Sequence, residues 1–294
     1  MKLTKDTNIL IVGLGVIGGG YAQALTKRGY TVRCITLEQS TIDYALARGM
    51  IAEGCTEVDP ALVGSADLVI FALYPHVFIE WIERYQALFK SGALITDVTG
   101  VKGSVVETVQ DMLRDDVEFI AAHPMAGRER SGVEYSDDKV FLGANYIVTP
   151  TEKNTPEAIE VCRELGRLLG FARITELTPT AHDEMIAFLS QLTHCIAVTL
   201  MTCNDSPSLE EYTGDSFRDL TRIAKINDEM WSELFLLNRD ALLRQMDLFS
   251  EEFARLRQML CEGDREGMRE MMRTSTARRA LFDKPVNKNN MNPN

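Results

Sequence analysis

The sequence predicts an α/β fold: a Rossmann-type, doubly wound parallel sheet followed by an all-α C-terminal domain. Short apolar runs without polar alternation recur through the first half, separated by stretches of helical spacing. A glycine loop closes the first run. From Thr178 onward the apolar spacing is helical almost to the end.

The apolar runs fall at 8–12, 31–35, 67–73, 93–96, 118–122 and 146–148. Such runs mark strands covered on both faces, as in parallel sheets layered between helices. Helical segments lie between them, for example 18–28 and 102–113. Strand and helix in alternation give a doubly wound sheet. Thr178-Pro179 reads as an N-cap with proline at the first helical position. Beyond it Met185, Ile186, Leu189, Leu192 and Ile196 follow helical spacing, as do Leu234, Leu237, Leu242 and Leu243. No strand is expected after Ile174. The predicted domains are 1–177, sheet and helices, and 178–294, helical, with a polar tail over 287–294 expected to be disordered. The helices are rich in Leu and Met, which suggests a helical homodimer interface.

A length of 294 residues fits two domains of roughly 150 residues each. The net charge of -12 argues against a nucleic-acid binder, which needs a basic face. A small anionic ligand is still compatible, because a local pocket of Arg and His can be positive on an acidic protein. The six cysteines form no C-x-x-C pair, so no metal site is expected and they read as small buried hydrophobes. No signal-peptide core opens the chain, and no stretch is expected to reach the ~20 apolar residues of a membrane span. The expectation is a cytoplasmic protein without membrane contact.

Gly13-Leu14-Gly15-Val16-Ile17-Gly18 follows a strand and opens a helix. In that context the glycines permit a tight turn, a close approach to a pyrophosphate and close helix–strand packing. The first domain is therefore read as dinucleotide-binding. Thr36, Leu73 and Thr99, at strand ends, join the loop as candidate cofactor contacts. The second strand runs into Thr36 where an acidic residue for the ribose is usual. Glu38, two residues on, would repel a 2′-phosphate. That favours NAD over NADP and leaves the choice open.

In open α/β sheets ligands sit beyond the carboxyl ends of the strands. His123 lies there and is the candidate acid/base, since neutral imidazole accepts a hydroxyl proton near pH 7. Gln191 and His194 are three apart on one predicted helix, and so are Asp219 and Arg222. His76 and His182 read as structural, and Trp231 as core or interface.

Several segments together resemble the prephenate and arogenate dehydrogenases. They are the glycine loop, 97–102, His123-Pro124-Met125-Ala126-Gly127-Arg128-Glu129 with Ser131-Gly132, His182-Asp183, 190–194, 217–224, Met230-Trp231 and Asn238. The resemblance covers roughly residues 8–238. It implies oxidative decarboxylation of an anionic cyclohexadiene in tyrosine biosynthesis. His123 would take the hydroxyl proton, Arg222 would hold a carboxylate, and Thr99, Gln191 and His194 would line the substrate. Two positions depart from the family pattern. Gly100 replaces a serine whose hydroxyl usually bonds the catalytic histidine, leaving Thr99, Ser104 or a water to supply one. Gln191 replaces a histidine common among relatives, so prephenate and arogenate both stay open. Two other readings compete. One is a non-catalytic dinucleotide sensor. The other is a β-hydroxyacid-type dehydrogenase, for which Lys225 is the only lysine between Lys153 and Lys284.

Overall fold

A computed structural model of the chain describes residues 2–127 and 130–283. The first apolar run forms β1 (Ile9–Val12), fully buried, and the glycine loop leads into α1 (Val16–Lys27). The alternation continues with β2 (Val32–Ile35), α2 (Gln39–Ala47), β3 (Glu53–Cys55), α3 (Pro60–Ser65), β4 (Leu68–Phe71), α4 (Pro75–Tyr85), β5 (Leu94–Asp97) and α5 (Gly103–Met112). The fifth run divides at Ile120 into β6 (Glu118–Phe119) and β7 (Ala121–Met125). Then come β8 (Asn145–Thr149), α6 (Pro156–Leu169) and β9 (Arg173–Glu176).

Six strands pair in parallel in the order β3-β2-β1-β4-β5-β6, the order of a Rossmann sheet. The order reverses between β1 and β4, so the carboxyl ends of those strands open the ligand crevice. Two apolar clusters cover the faces, one around Tyr21, Leu25 and Leu165, the other around Phe71, Phe78 and Val105.

The last strands do not extend the parallel sheet: β7, β8 and β9 form a second sheet in which β7 and β8 run antiparallel. Strand β9 reaches Glu176, past the expected limit at Ile174; it is mostly exposed and shows no apolar run. Strand β3 went unpredicted because it is three residues, Glu-Gly-Cys, with no apolar signal.

The helical part opens where expected. Thr178 caps α7 (Pro179–Ile186) by accepting from Ala181 N–H, with proline at the first helical position. A π-helical stretch over Ala187–Leu192 continues directly into α8 (Thr193–Thr202). The run Pro179–Thr202 is thus 24 residues with mean hydropathy 1.5, long and apolar enough to cross a membrane, contrary to the sequence expectation. It carries buried His182, Asp183 and Gln191, all hydrogen-bonded within the protein, on one face and exposes Met185, Phe188, Leu189 and Met201 on the other. Then follow α9 (Asp215–Thr221), α10 (Asp228–Leu237), α11 (Arg239–Glu262) and α12 (Arg265–Arg279).

The compact units do not divide where strands give way to helices. One spans 1–242 and the other 243–294. The helices up to Leu242 pack on the sheet half: Leu234 of α10 sits in the same apolar cluster as Val101 and Val105. The second unit holds the remainder of α11 and α12 and exposes Leu248, Phe249, Phe253 and Leu260. Cys203 and Cys261 are exposed, so only some of the cysteines are buried hydrophobes. The polar tail at 287–294 lies outside the described residues, as do Arg128 and Glu129.

Candidate active site

The glycine loop is built for an anion. Gly13 adopts φ +92°, and a side chain there would collide with the Ala72 carbonyl. At Gly18 an added Cβ would strike the Gly13 carbonyl, so helix and strand approach as only glycine allows. At Gly15 the same Cβ would meet nothing within 4 Å. Gly15 is also the N-cap of α1 and supplies no side-chain hydrogen bond, leaving the helix start to a ligand. A pyrophosphate fits this cradle. Leu14 is buried, and Val16 and Ile17 are partly exposed along the loop. Leu73 sits against the Gly13 position. Thr36 is partly exposed after β2, with Glu38 exposed as the N-cap of α2.

The ends of β5 and β7 are stitched together by one carboxylate. Asp97, fully buried, accepts from Ala122 N–H at 3.1 Å through Oδ1. Its Oδ2 accepts from Thr99 N–H at 3.1 Å and from Lys102 Nζ at 2.6 Å. Lys102 is itself fully buried; burial lowers its pKa and the Asp97 charge opposes that shift. The Thr99 hydroxyl bonds Asp97 and lies 3.0 Å from the Val101 carbonyl. Thr99 is therefore turned inward, and the expectation that its hydroxyl replaces the missing serine is corrected. Ser104 is exposed on α5.

His123, in the middle of β7, anchors the site. Its Nδ1 lies 2.9 Å from Nε2 of His182, which is fully buried on α7. His182 Nδ1 lies 2.7 Å from Oδ1 of Asp183. The Asp183 carboxylate also accepts from the backbone N–H groups of Lys102 at 2.8 Å and Gly103 at 2.7 Å, where α5 begins. Burial, then the His182 ring, then the Lys102 charge push the His123 pKa well below the ordinary histidine value. His182 is lowered too, by burial first, with its bond to Asp183 opposing. Reading His182 as merely structural missed this pairing; the adjacent His182-Asp183 dipeptide at a helix start was the available signal.

Gly100 lies beside the same ring. A Cβ built there would stand 4.0 Å from His123 Nε2 and 3.4 Å from Leu234 Cδ1. In this chain Leu234 of α10 packs against that position.

Gln191 and His194 both turn to α10, as their spacing predicts. Gln191 is 1% exposed; its Nε2 donates to the Leu234 carbonyl at 2.9 Å and its Oε1 accepts from Asn238 at 2.8 Å. Asn238 donates as well to the Asp183 carbonyl at 2.9 Å. Gln191 is thus a strut between helices, and the expected contact with substrate is not what the geometry gives. His194 Nδ1 donates to the Ser190 carbonyl at 2.8 Å. Its ring stacks on Trp231 of α10, with centroids 3.7 Å apart. Arg222 is exposed and begins a 3-10 turn, 222–224, that packs against α8, the helix bearing His194. His76, at the start of α4, bonds Glu233 of α10 through its ring and backbone nitrogens at 2.8 and 2.7 Å. Among the described residues no group of three His, Cys, Asp or Glu side chains is placed to hold a metal ion.

The family profile "Prephenate dehydrogenase, nucleotide-binding domain" matches residues 21–175, and "Prephenate dehydrogenase, dimerization domain" matches 178–274. The chain belongs to the prephenate dehydrogenase family. Membership makes it an oxidoreductase. The prephenate dehydrogenase of Bacillus subtilis is 29% identical over 94% of this chain and 76% of its own length. The cyclohexadienyl dehydrogenase of Zymomonas mobilis is 28% identical over 95% of this chain and 97% of its own. The structure of A. aeolicus prephenate dehydrogenase, solved with hydroxyphenyl propionate and NAD+, matches with TM-score 0.88 and 29% identity, over 96% of this chain and 100% of that one. A 3-hydroxyisobutyrate dehydrogenase of Salmonella typhimurium shares the fold at TM-score 0.56 and 13% identity, which carries no activity across. Lys225, the lysine the β-hydroxyacid reading needs, is exposed after the 222–224 turn.

Proposed function

We propose that this enzyme oxidatively decarboxylates prephenate or arogenate, with NAD+ as the hydride acceptor and His123 as the base. Family membership and the NAD+ bound by the A. aeolicus relative support the substrate class and the cofactor. The observation that carries the role of His123 is its setting: a partly buried, low-pKa imidazole on β7 beside the end of β5, bonded through Nδ1 to His182.

The substrate is a cyclohexadiene with a hydroxyl and a hydrogen on one ring carbon and a carboxylate on the opposite carbon. His123 Nε2 accepts the hydroxyl proton as hydride leaves the same carbon. The electron pair of the breaking carbon–carboxylate bond moves through the ring to the new carbonyl oxygen, carbon dioxide departs, the ring becomes aromatic, and the phenolate takes back the proton held by His123. Bound in the glycine loop, NAD+ supplies the hydride acceptor. Arg222, on the turn packed against the helix that bears His194, supplies the cationic group for a carboxylate. Leu234 and Trp231 form an apolar wall from Gly100 to His194 and exclude water from the reacting ring.

The chain acts in the cytoplasm as a homodimer in this reading. The dimerization-domain match supports the dimer, and so do exposed Phe188, Leu189 and Leu236 together with the apolar residues of α11.

Purified enzyme assayed with prephenate and arogenate, each with NAD+ and NADP+, tests the function. Reduced cofactor appearing with one of the cyclohexadienes is the expected result. No turnover with any of the four pairs overturns it and favours the non-catalytic sensor.

A further inference from the structure

We propose that Asp183, acting through His182, holds His123 in the tautomer with its proton on Nδ1, so that Nε2 presents a lone pair to the substrate hydroxyl. The inference rests on reading His123 as the base, and it assigns His182 and Asp183 as positioning residues.

The direction of each hydrogen bond follows from what its partners can do. The Asp183 carboxylate already accepts from Lys102 N–H and Gly103 N–H, where the start of α5 favours negative charge. Toward His182 it acts as acceptor, so His182 Nδ1 carries a proton. Gly103 makes this approach possible, since a Cβ there would stand 2.9 Å from Asp183 Oδ2. A neutral His182 then has a bare Nε2, which accepts at 2.9 Å from His123 Nδ1–H. His123 Nε2 is left as the proton acceptor. The alternative needs a cationic His182, which would donate from Nε2 and force the His123 proton onto Nε2. Burial and the Lys102 charge, both of which lower the His182 pKa, oppose it, while Asp183 and Asp97 pull the other way. Around His123 the facing charged or titrating groups are His182 and Lys102. In water, neutral imidazole favours the proton on Nε2. The relay therefore selects the less common form at both rings, and local propensity alone would give the wrong one.

The test reads the tautomer directly. The chain has four histidines, so enzyme labelled with 15N histidine gives few ring signals, and His123→Asn assigns one set. Without substrate at neutral pH, two-bond nitrogen–carbon-proton couplings should show both His123 and His182 neutral with the proton on Nδ1. A His123 proton on Nε2, or a cationic His182, overturns the proposal even if the enzyme turns over a cyclohexadiene. The folded D183N variant should shift His123 toward the Nε2–H form. Its kcat should fall by roughly 10²-fold or more, with the KM values for substrate and cofactor within about twofold. An unchanged tautomer and kcat in D183N would reduce Asp183 to packing. If D183N does not fold, the wild-type couplings alone decide.

Discussion

His123 Nδ1 and His182 Nε2 face each other at 2.9 Å, and a single proton joins a strand of the small sheet to the first helix of the α-helical part. This pair lies beside the end of β5, where Asp97 also binds the backbone of β7. The base is therefore fixed from two sides before any ligand arrives.

His123→Asn keeps a polar side chain of similar reach but cannot accept a proton at neutral pH. Its kcat should fall by ~10²-fold or more. Steady-state kinetics under saturating substrate and cofactor check this. An unchanged kcat would remove His123 from the chemistry.

Gly100→Ser places a hydroxyl within reach of His123 Nε2, because the Cβ stands 4.0 Å from that nitrogen. Leu234 must move by a few tenths of an ångström, since the contact at 3.4 Å is tight. A new hydrogen bond of ~0.5–1.5 kcal/mol should raise kcat/KM by up to about tenfold, with thermal stability nearly unchanged. A fall in kcat/KM would show that Leu234 and Gly100 are fitted to each other without a hydroxyl.

Gln191→Leu removes the acceptor of Asn238 and the donor to the Leu234 carbonyl. Buried polar groups left unpaired cost ~1–3 kcal/mol each, so the unfolding temperature should drop measurably. The prephenate-to-arogenate preference should stay the same. A changed preference at unchanged stability would make Gln191 a substrate reader after all.

Gly15→Val and Gly18→Val should fail in different ways. A Cβ at Gly15 meets nothing within 4 Å, so that variant folds with near wild-type stability but fills the anion cradle and loses nucleotide affinity. At Gly18 the Cβ runs into the Gly13 carbonyl, so that variant should be destabilised even without nucleotide. Calorimetric nucleotide titration alongside thermal unfolding separates the two. Equal nucleotide binding by Gly15→Val and wild type would contradict the loop assignment.

His123 and His182 both titrate below the ordinary histidine value in the folded protein. The base stays neutral as pH falls, so the acid limb of kcat/KM should lie below about pH 6.5. Stability follows the same groups. Below about pH 6.5 the unfolded chain binds protons that the folded chain refuses. The contribution is complete above that pH and is lost progressively as pH falls from there through the lower folded values. Thermal unfolding from about pH 7.5 to about pH 5.5 should show a declining Tm. A flat profile would contradict the depressed values.

The sheet half was legible because its strands are buried on both faces and their apolar runs are uninterrupted, as in Ile9-Leu10-Ile11-Val12. The glycine loop was legible because each glycine answers a distinct steric demand. Strand β3 and the antiparallel turn of β8 were not, because pairing partners leave no mark on such short segments. At the site, His123 was visible from its apolar run and the His-Pro-Met-Ala-Gly segment, although it lies within β7 and not beyond its end. The partners of His123 were hidden by distance in sequence: His182 is 59 residues away, and its role depends on which nitrogen faces Asp183. The hydrogen bonds of Gln191 were hidden for the same reason, since its partners Leu234 and Asn238 lie on and at the end of a helix more than 40 residues later.

Prephenate and arogenate carrying deuterium at the hydroxyl-bearing ring carbon test the proposed reaction most directly. Deuterium should appear in the reduced nicotinamide, with one carbon dioxide released per hydride transferred and a 4-hydroxyphenyl product. Reduced cofactor without deuterium, or deuterium transfer without loss of carbon dioxide, would contradict it.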